Sequence, residues 1–378
     1  MFLNNRKIRQ QLYQLIVALC FVCICFFAIN NAYINLHKQG IATGFAFLSK
    51  SAGFDVIMHL IPFNEKSTYS ITLILAILNT ILVSACGITL ATILGFSLGI
   101  ARLSVNFIIR SIATIYVEFF RNIPLLLQIF CWYFGILRLL PKPKNSISLL
   151  PETYLNIRGL YFPNFTITEN GFIFFIILAT SIFFCALTYR YNKILGNNRH
   201  IRIKRLILLL CPAIFFIVLS PNILTSTAPV LRGFNYQGGT VIIPEFIALL
   251  LALSTYTAAF IAEIVRAGIE AIDKGQKEAS LALGLNRRQM LRYIVLPQAM
   301  RIIIPPLTNQ YLNLTKNSSL GAAIAYPELI SVFAGTVLNQ TGQAIEVIGI
   351  TMAVYLILSL SVAMIMNKFN NAVAIKEN

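Results

Sequence analysis

Charge is what this sequence has least of. Only 11% of its 378 residues are Asp, Glu, Lys or Arg, where a soluble domain carries about 25%. A chain of this length could not clothe a globule in polar surface, so a water-soluble enzyme is excluded. Histidine is nearly absent. His37, His59 and His200 are scattered among loops and form no catalytic constellation, which argues against a membrane-embedded enzyme. There is no Gly-Lys dipeptide, and therefore no loop in which backbone amides and a lysine could hold the phosphates of ATP. The seven cysteines all lie in or beside apolar stretches, whereas a disulfide framework needs them in aqueous loops. The cluster Cys20-x-x-Cys23-x-Cys25 has no histidine near it and reads as small helix-packing residues rather than a metal or redox site. No metal and no cofactor is expected.

What the chain has instead is apolar length. Hydrophobic residues make up 57%, gathered into runs close to the 20 residues an α-helix needs to cross a hydrocarbon core of roughly 30 Å. The runs are Leu12–Ile29, Ile77–Ile100, Ile123–Leu140, Phe172–Tyr189, Leu206–Ser220, Ile242–Ile261, Ile302–Ala325 and Ile345–Met366. They predict an all-α polytopic membrane protein with about eight transmembrane helices. The first run is too long for a signal peptide and lacks a cleavage site, so it reads as a retained helix. A membrane β-barrel would alternate apolar and polar residues over about 10 positions and is excluded.

The net charge of +17 is mostly a topology signal. With the N-terminus inside, 21 Lys and Arg fall on the cytoplasmic side and 8 outside. Short basic loops stay cytoplasmic, so both termini are expected there. Because the basic residues occupy short segments between apolar runs, nucleic acid is not an expected partner; membrane lipid is.

The segment Arg266–Pro297 is too regular for a slack loop. The sixth helix is expected to continue past the membrane to Asp273 and to end at Lys274-Gly275, glycine suiting a left-handed cap. Lys277–Leu283 then makes about two turns, with Glu278 in the first, where the helix dipole favours a carboxylate. Gly284 closes it. Asn286 and Gln289 have the spacing of a capping box for the next helix. A cytoplasmic helix–turn–helix results, with the small side chains of Ala279 and Ala282 suited to close approach by another protein.

Here the motif becomes specific. Glu278-Ala279-Ser280, three residues, Gly284, nine residues, Ile294, then Leu296-Pro297 resembles the EAA loop of ABC importer permeases. Tyr116–Phe134 (YVEFFRNIPLLLQIFCWYF) is similar to the polar amino-acid branch of that family. GIATGF at 40–45, FLSKSAGFDV at 47–56 and the stretch Leu314–Ile348 resemble its Q-type general L-amino-acid permease subunits. The likeness covers nearly the whole chain and is weakest in Pro141–Gly171, Arg190–Leu210 and Asn222–Gly239. It implies a type I ABC permease fold with an extra N-terminal helix, an N-terminal helix and periplasmic loop at 1–70, a permease domain at 71–370, and a coupling loop at 264–297. It also implies the assembly: an ATPase dimer, a second homologous permease and a periplasmic amino-acid-binding protein, in a bacterial inner membrane. Glu278, Ala279, Ser280, Gly284, Ile294, Leu296 and Pro297 would then couple to the ATPase.

A second pattern lies in the seventh run. Asn309, Asn313, Lys316 and Asn317 recur on one helical face, and polar groups at membrane depth are costly unless they face a partner or water. They either line a translocation path or serve as interhelical hydrogen-bond glue; Lys316 could also snorkel outward. Lys316-Asn317-Ser318-Ser319-Leu320 stands where the family has Lys-Asp-Thr-Ser-Leu, so the acid is replaced at Asn317. Glu118 with Arg121, and Glu263 with Arg266, have i, i+3 spacing at the cytoplasmic ends of helices. The expected function is one half of the membrane path of an ATP-driven amino-acid importer, without covalent chemistry. The alternative is a self-contained secondary transporter.

Overall fold

The computed structural model describes residues 6–38, 40, 43–167, 180–181 and 224–373. The run Phe172–Tyr189 apart from 180–181, the run Leu206–Ser220, Cys185, Cys211 and the loop between the runs lie outside the described residues. Two compact units form, one from Met1–Tyr133 with Glu245–Asn378 and the other from Phe134–Pro244.

The first unit is helical. Helix α1, Arg6–Lys38, carries the apolar stretch Leu12–Ala28, and side chains such as Leu15, Val17, Phe21 and Phe26 are exposed along it. Helix α2, Tyr69–Arg102, has 34 residues, about 51 Å at 1.5 Å per residue. Between α1 and α2, the polar stretch is not slack. Phe47, Ala52, Val56 and Phe63 are buried in one cluster with Tyr69, Leu75, Leu329 and Phe333.

The apolar run starts a span at Ile123; helix instead forms on both sides of Ile123-Pro124, with a bend between. Helix α3, Phe107–Asn122, starts on Asn106, whose side chain accepts from the amides of Ile108 and Ile109. Helix α4, Leu125–Phe130, follows and runs on through irregular helical turns to Leu139, at 105° to α3. Pro124 causes the break, because a residue before proline is pushed out of the helical region and Ile123 is extended. The bend frees carbonyls, and the buried Gln128 amide donates to two of them, those of Phe120 and Ile123, at 2.9 Å each. In lipid such groups must be satisfied internally.

Helix α5, Pro244–Glu270, is followed by α6, Lys274–Ala282, and α7, Arg287–Met290. A π-turn at Leu291–Val295 leads into α8, Leu296–Asn317. The wide turn falls where Pro297 removes an N–H from the ladder. Pro305 and Pro306 do not stop α8, which runs through both. A 3-10 turn at Ser318–Ile324, a π-turn at Ile330–Val337 and the short α9, Leu338–Thr341, precede α10, Ala344–Val373. Among the described residues, α2, α5 and α10 are long and apolar enough to cross a membrane, and α3 with α4 makes a fourth if the bent pair is one span. Helix α8 falls outside that set because of its polar face.

The second unit adds strands in segments whose loops the sequence left without structure. β1 (Ile147–Leu150), β2 (Thr153–Asn156), β3 (Gly159–Phe162) and β8 (Thr240–Ile242) form an antiparallel sheet in that order. β4 (Asn164–Ile167) pairs with β5 (Leu224–Thr227), and β6 (Val230–Arg232) with β7 (Asn235–Gln237). Tyr154 stacks on Tyr236 with ring centroids 4.7 Å apart. Tyr161 donates to the Asn235 side chain at 2.9 Å, and burial raises its pKa above the ordinary phenol value. The all-helical expectation holds for the apolar spans described and not for this unit.

Candidate functional site

The segment after α5 is ordered almost throughout, with two corrections to the sequence reading. Helix α5 stops at Glu270 rather than Asp273, and Asp273 begins α6 as its N-cap, accepting from the amide of Gly275. Gly275 is therefore inside the first turn, not a C-cap. An N-cap aspartate satisfies one of the amides a helix start leaves open, which explains the shift. Glu278 accordingly lies one turn further in than its spacing suggested. Gly284 does take the left-handed conformation, with φ of 77° and nothing within 4 Å of where a Cβ would stand. Asn286 and Gln289 form the reciprocal capping box: the Gln289 amide donates to Asn286 Oδ1 at 2.9 Å and the Asn286 amide to Gln289 Oε1 at 3.0 Å.

Of the motif residues, Glu278, Ala279, Gly284, Leu296 and Pro297 are exposed, and Ile294 is half-buried. Ser280 is turned inward, its hydroxyl donating to the Lys277 carbonyl at 2.7 Å. Leu281 and Leu283 stand free on the same short helix, the latter 81% exposed. An apolar, small-residue surface of this kind on an ordered helix is suited to a protein partner.

An ionic cluster ties together α2, α3 and α5 near their C-terminal ends. The Glu263 carboxylate pairs with Arg102 of α2 and with Arg266 one turn along α5 at 2.5 Å, while Arg121 of α3 approaches to 3.7 Å. Arg266 also pairs with Glu270 at 2.5 Å. The i, i+3 expectation for Glu263 and Arg266 is met. Arg121 turns to Glu263 across helices rather than along its own, so one carboxylate joins three helices.

On α8 the buried face is Ile303, Ile304, Leu307, Tyr311, Leu314 and Thr315, packed along α2 and α10. Asn309, Asn313 and Lys316 occupy the opposite, exposed face, and Asn317 is half-buried. Ser318 is not on that face: it is buried, and its hydroxyl donates to the Thr315 carbonyl at 2.7 Å. A groove of about 200 Å³ lies between α8 and α10, lined by Thr308, Asn309, Asn367 and Asn370 among others.

Sequence reasoning passed over the polar corner beyond α8. Tyr326 donates to the Asn79 carbonyl at 2.9 Å; the Asn79 amide donates to Met58 and Pro327 carbonyls at 3.0 and 2.9 Å. Glu328, fully buried, accepts from the amides of Ile330 and Ser331 at 2.8 and 2.7 Å and from the Tyr355 hydroxyl at 3.0 Å. The signal available was a lone acid in an apolar stretch, which a buried site must surround with donors.

Residues 87–372 match the sequence model of the binding-protein-dependent transport system inner membrane component family. The chain is 47% identical over 377 residues to YhdX of Escherichia coli K12, covering 99% of this chain and 96% of that protein, whose own assignment as an amino-acid ABC transporter permease is provisional. It is 46% identical to the general L-amino acid transport system permease protein AapQ of Rhizobium johnstonii, covering 98% and 94%. It is 36% identical to BztB of Rhodobacter capsulatus, a glutamate/glutamine/aspartate/asparagine transport system permease, covering 100% and 96%. Matched over most of its length, and carrying the ordered loop after α5 and the polar-faced helix described above, this chain belongs to the family of inner membrane components of binding-protein-dependent transport systems.

Proposed function

We propose that the chain supplies half of the membrane path of an ATP-driven importer of L-amino acids, the other half coming from a second homologous permease. The observation that carries this is the open polar face of α8. In a bilayer, Asn309, Asn313 and Lys316 cannot face lipid without a large cost, so within the membrane they face a partner helix or water. An amino acid presents a carboxylate and an ammonium, each of which must be repaid for the water it loses. Lys316 favours the carboxylate, and the asparagine amides both donate and accept. The named relatives support amino acids as the substrate class.

In this reading residues 1–70 form an N-terminal helix and periplasmic loop ahead of a permease domain at 71–370, with eight spans and both termini cytoplasmic. An ATPase dimer docks on the loop 264–297 through Glu278, Ala279, Ser280, Gly284, Ile294, Leu296 and Pro297, and a periplasmic binding protein delivers substrate. Lipid surrounds the remaining apolar faces. The path residues are Asn309, Asn313, Lys316, Asn317 and Ser318, the last supporting the face from behind.

The test is accumulation of labelled L-amino acids in proteoliposomes containing the co-purified complex and binding protein, with and without ATP. Uptake that depends on ATP and on the ATPase subunits is expected. Accumulation by the permease alone would make it a secondary transporter. Orientation is checked separately: cysteine placed at Lys50 or Lys142 should react with an impermeant maleimide from outside intact cells, and cysteine at Arg288 should not.

A further inference from the structure

The first unit contains a cavity of about 760 Å³ where the end of α2, the α2–α3 turn, the end of α5 and the start of the α8 ladder meet. Its walls are mostly apolar, with Ile100, Leu103, Val105, Ile109 and Val295 among them. Three cations reach it, Lys277, Arg288 and Arg292, against one acid, Glu270, which is already paired with Arg266. Water fits such walls poorly, since a buried water needs two to four polar partners. The apolar wall also continues outward. Val105 and Ile109 lead to Ile108, Ile112 and Ile115 on α3, all exposed and repeating at helical spacing.

We infer that this cavity binds an anionic phospholipid, its headgroup held by Lys277, Arg288 and Arg292 and its acyl chains leaving along the exposed apolar face of α3. Net positive charge over an apolar slot selects a molecule that is anionic at one end and apolar at the other. Basic pockets among helices on the cytoplasmic side suit anionic lipid headgroups. The inference rests on the proposed orientation, which puts the coupling loop at the cytoplasmic edge of the membrane. The ATPase is a less suitable occupant. Glu278, Ala279 and Leu281 of α6, and Leu283 just after it, are not among the cavity's lining residues, so that part of the proposed docking face lies off the cavity. Leu296, which belongs to the motif and also lines the cavity, would place the lipid directly beside the coupling segment.

The test uses the complete transporter in phosphatidylcholine vesicles doped with photoactivatable phosphatidylglycerol, compared with photoactivatable phosphatidylcholine, with the labelled residues mapped by mass spectrometry. Labelling of 103–109 and 290–295 should be stronger from the anionic lipid. Arg288→Gln with Arg292→Gln should reduce that preference by roughly tenfold or more, and Lys277→Gln alone should reduce it less. Equal labelling by the two lipids, a preference that survives these variants, or an unlabelled cavity in the assembled complex would each overturn the inference. ATP-driven uptake by the same vesicles reports on the proposed function independently.

Discussion

Helices α2 and α8 pack against each other, yet they solve the membrane in opposite ways. Helix α2 is strongly apolar and buries Thr72, Asn79, Thr80 and Ser84, while its exposed Thr89 and Ser97 hydroxyls donate to carbonyls of the same helix, those of Ala85 and Ile93. Its glycines allow near-contact of backbones; a Cβ on Gly95 would stand 2.6 Å from Ile261, and one on Gly99 2.8 Å from the Ala262 carbonyl oxygen. Helix α8 buries its apolar residues and turns Asn309, Asn313 and Lys316 outward. The difference is where the polar groups point. A membrane helix that keeps most of its polar groups inside its own subunit is scaffold, whereas one that presents them outward requires something else to cover them.

The largest effect should come from breaking the scaffold side of this comparison. Gly99→Leu forces a branched side chain against the α5 backbone, at a cost of about 1–3 kcal/mol or more from overpacking. The yield of assembled complex and its thermal midpoint, read by size-exclusion chromatography, should both fall. An unchanged midpoint would mean that α2 and α5 do not approach as closely as described.

Next in size is the path side. Asn313→Leu and Lys316→Met each remove a group able to hydrogen-bond or pair with a charged substrate, interactions worth about 1.5–3 kcal/mol. Transport should fall about tenfold or more, while assembly with the ATPase and basal ATP hydrolysis persist. If both variants transport normally, the face is packing glue; if they fail to assemble, it is an interface. Either result would end the distinction drawn between the two helices.

The smallest effect sharpens the comparison at the point of contact. Thr92 of α2 and Tyr311 of α8 share a hydrogen bond of 2.7 Å between hydroxyls. Within a membrane such a bond contributes about 0.6 kcal/mol on average, so Thr92→Val should shift the thermal midpoint slightly and leave uptake unchanged. A large loss of uptake would make this contact part of the moving machinery rather than of the packing.

How much of this was legible in the sequence depended on the range of the physics involved. The loop was readable because its signals are local: Gly284 at a left-handed turn and Asn286 with Gln289 in a capping box act over three or four residues. Where a local rule had two solutions, the choice went the other way, as when Asp273 capped α6 instead of ending α5. The α3–α4 bend was signalled by Pro124, but the polar Glu118, Arg121 and Asn122 just before it read as the end of a span rather than as part of a helix. The buried Glu328 and its donors Ile330, Ser331 and Tyr355 could not be read, because Tyr355 reaches it from a separate helix.

By itself the sequence determined the membrane as solvent, the apolar runs that form α2, α5 and α10, the local turns of the loop after α5 and the spacing of Asn309, Asn313 and Lys316, since composition and helical period depend only on neighbouring residues. Only the tertiary structure decided which way that polar face points, that Glu263 gathers Arg102, Arg121 and Arg266 from three helices, and that an apolar cavity with a basic rim opens beside the loop after α5. Each of those depends on which helices meet, and residues far apart in the chain settle that through packing.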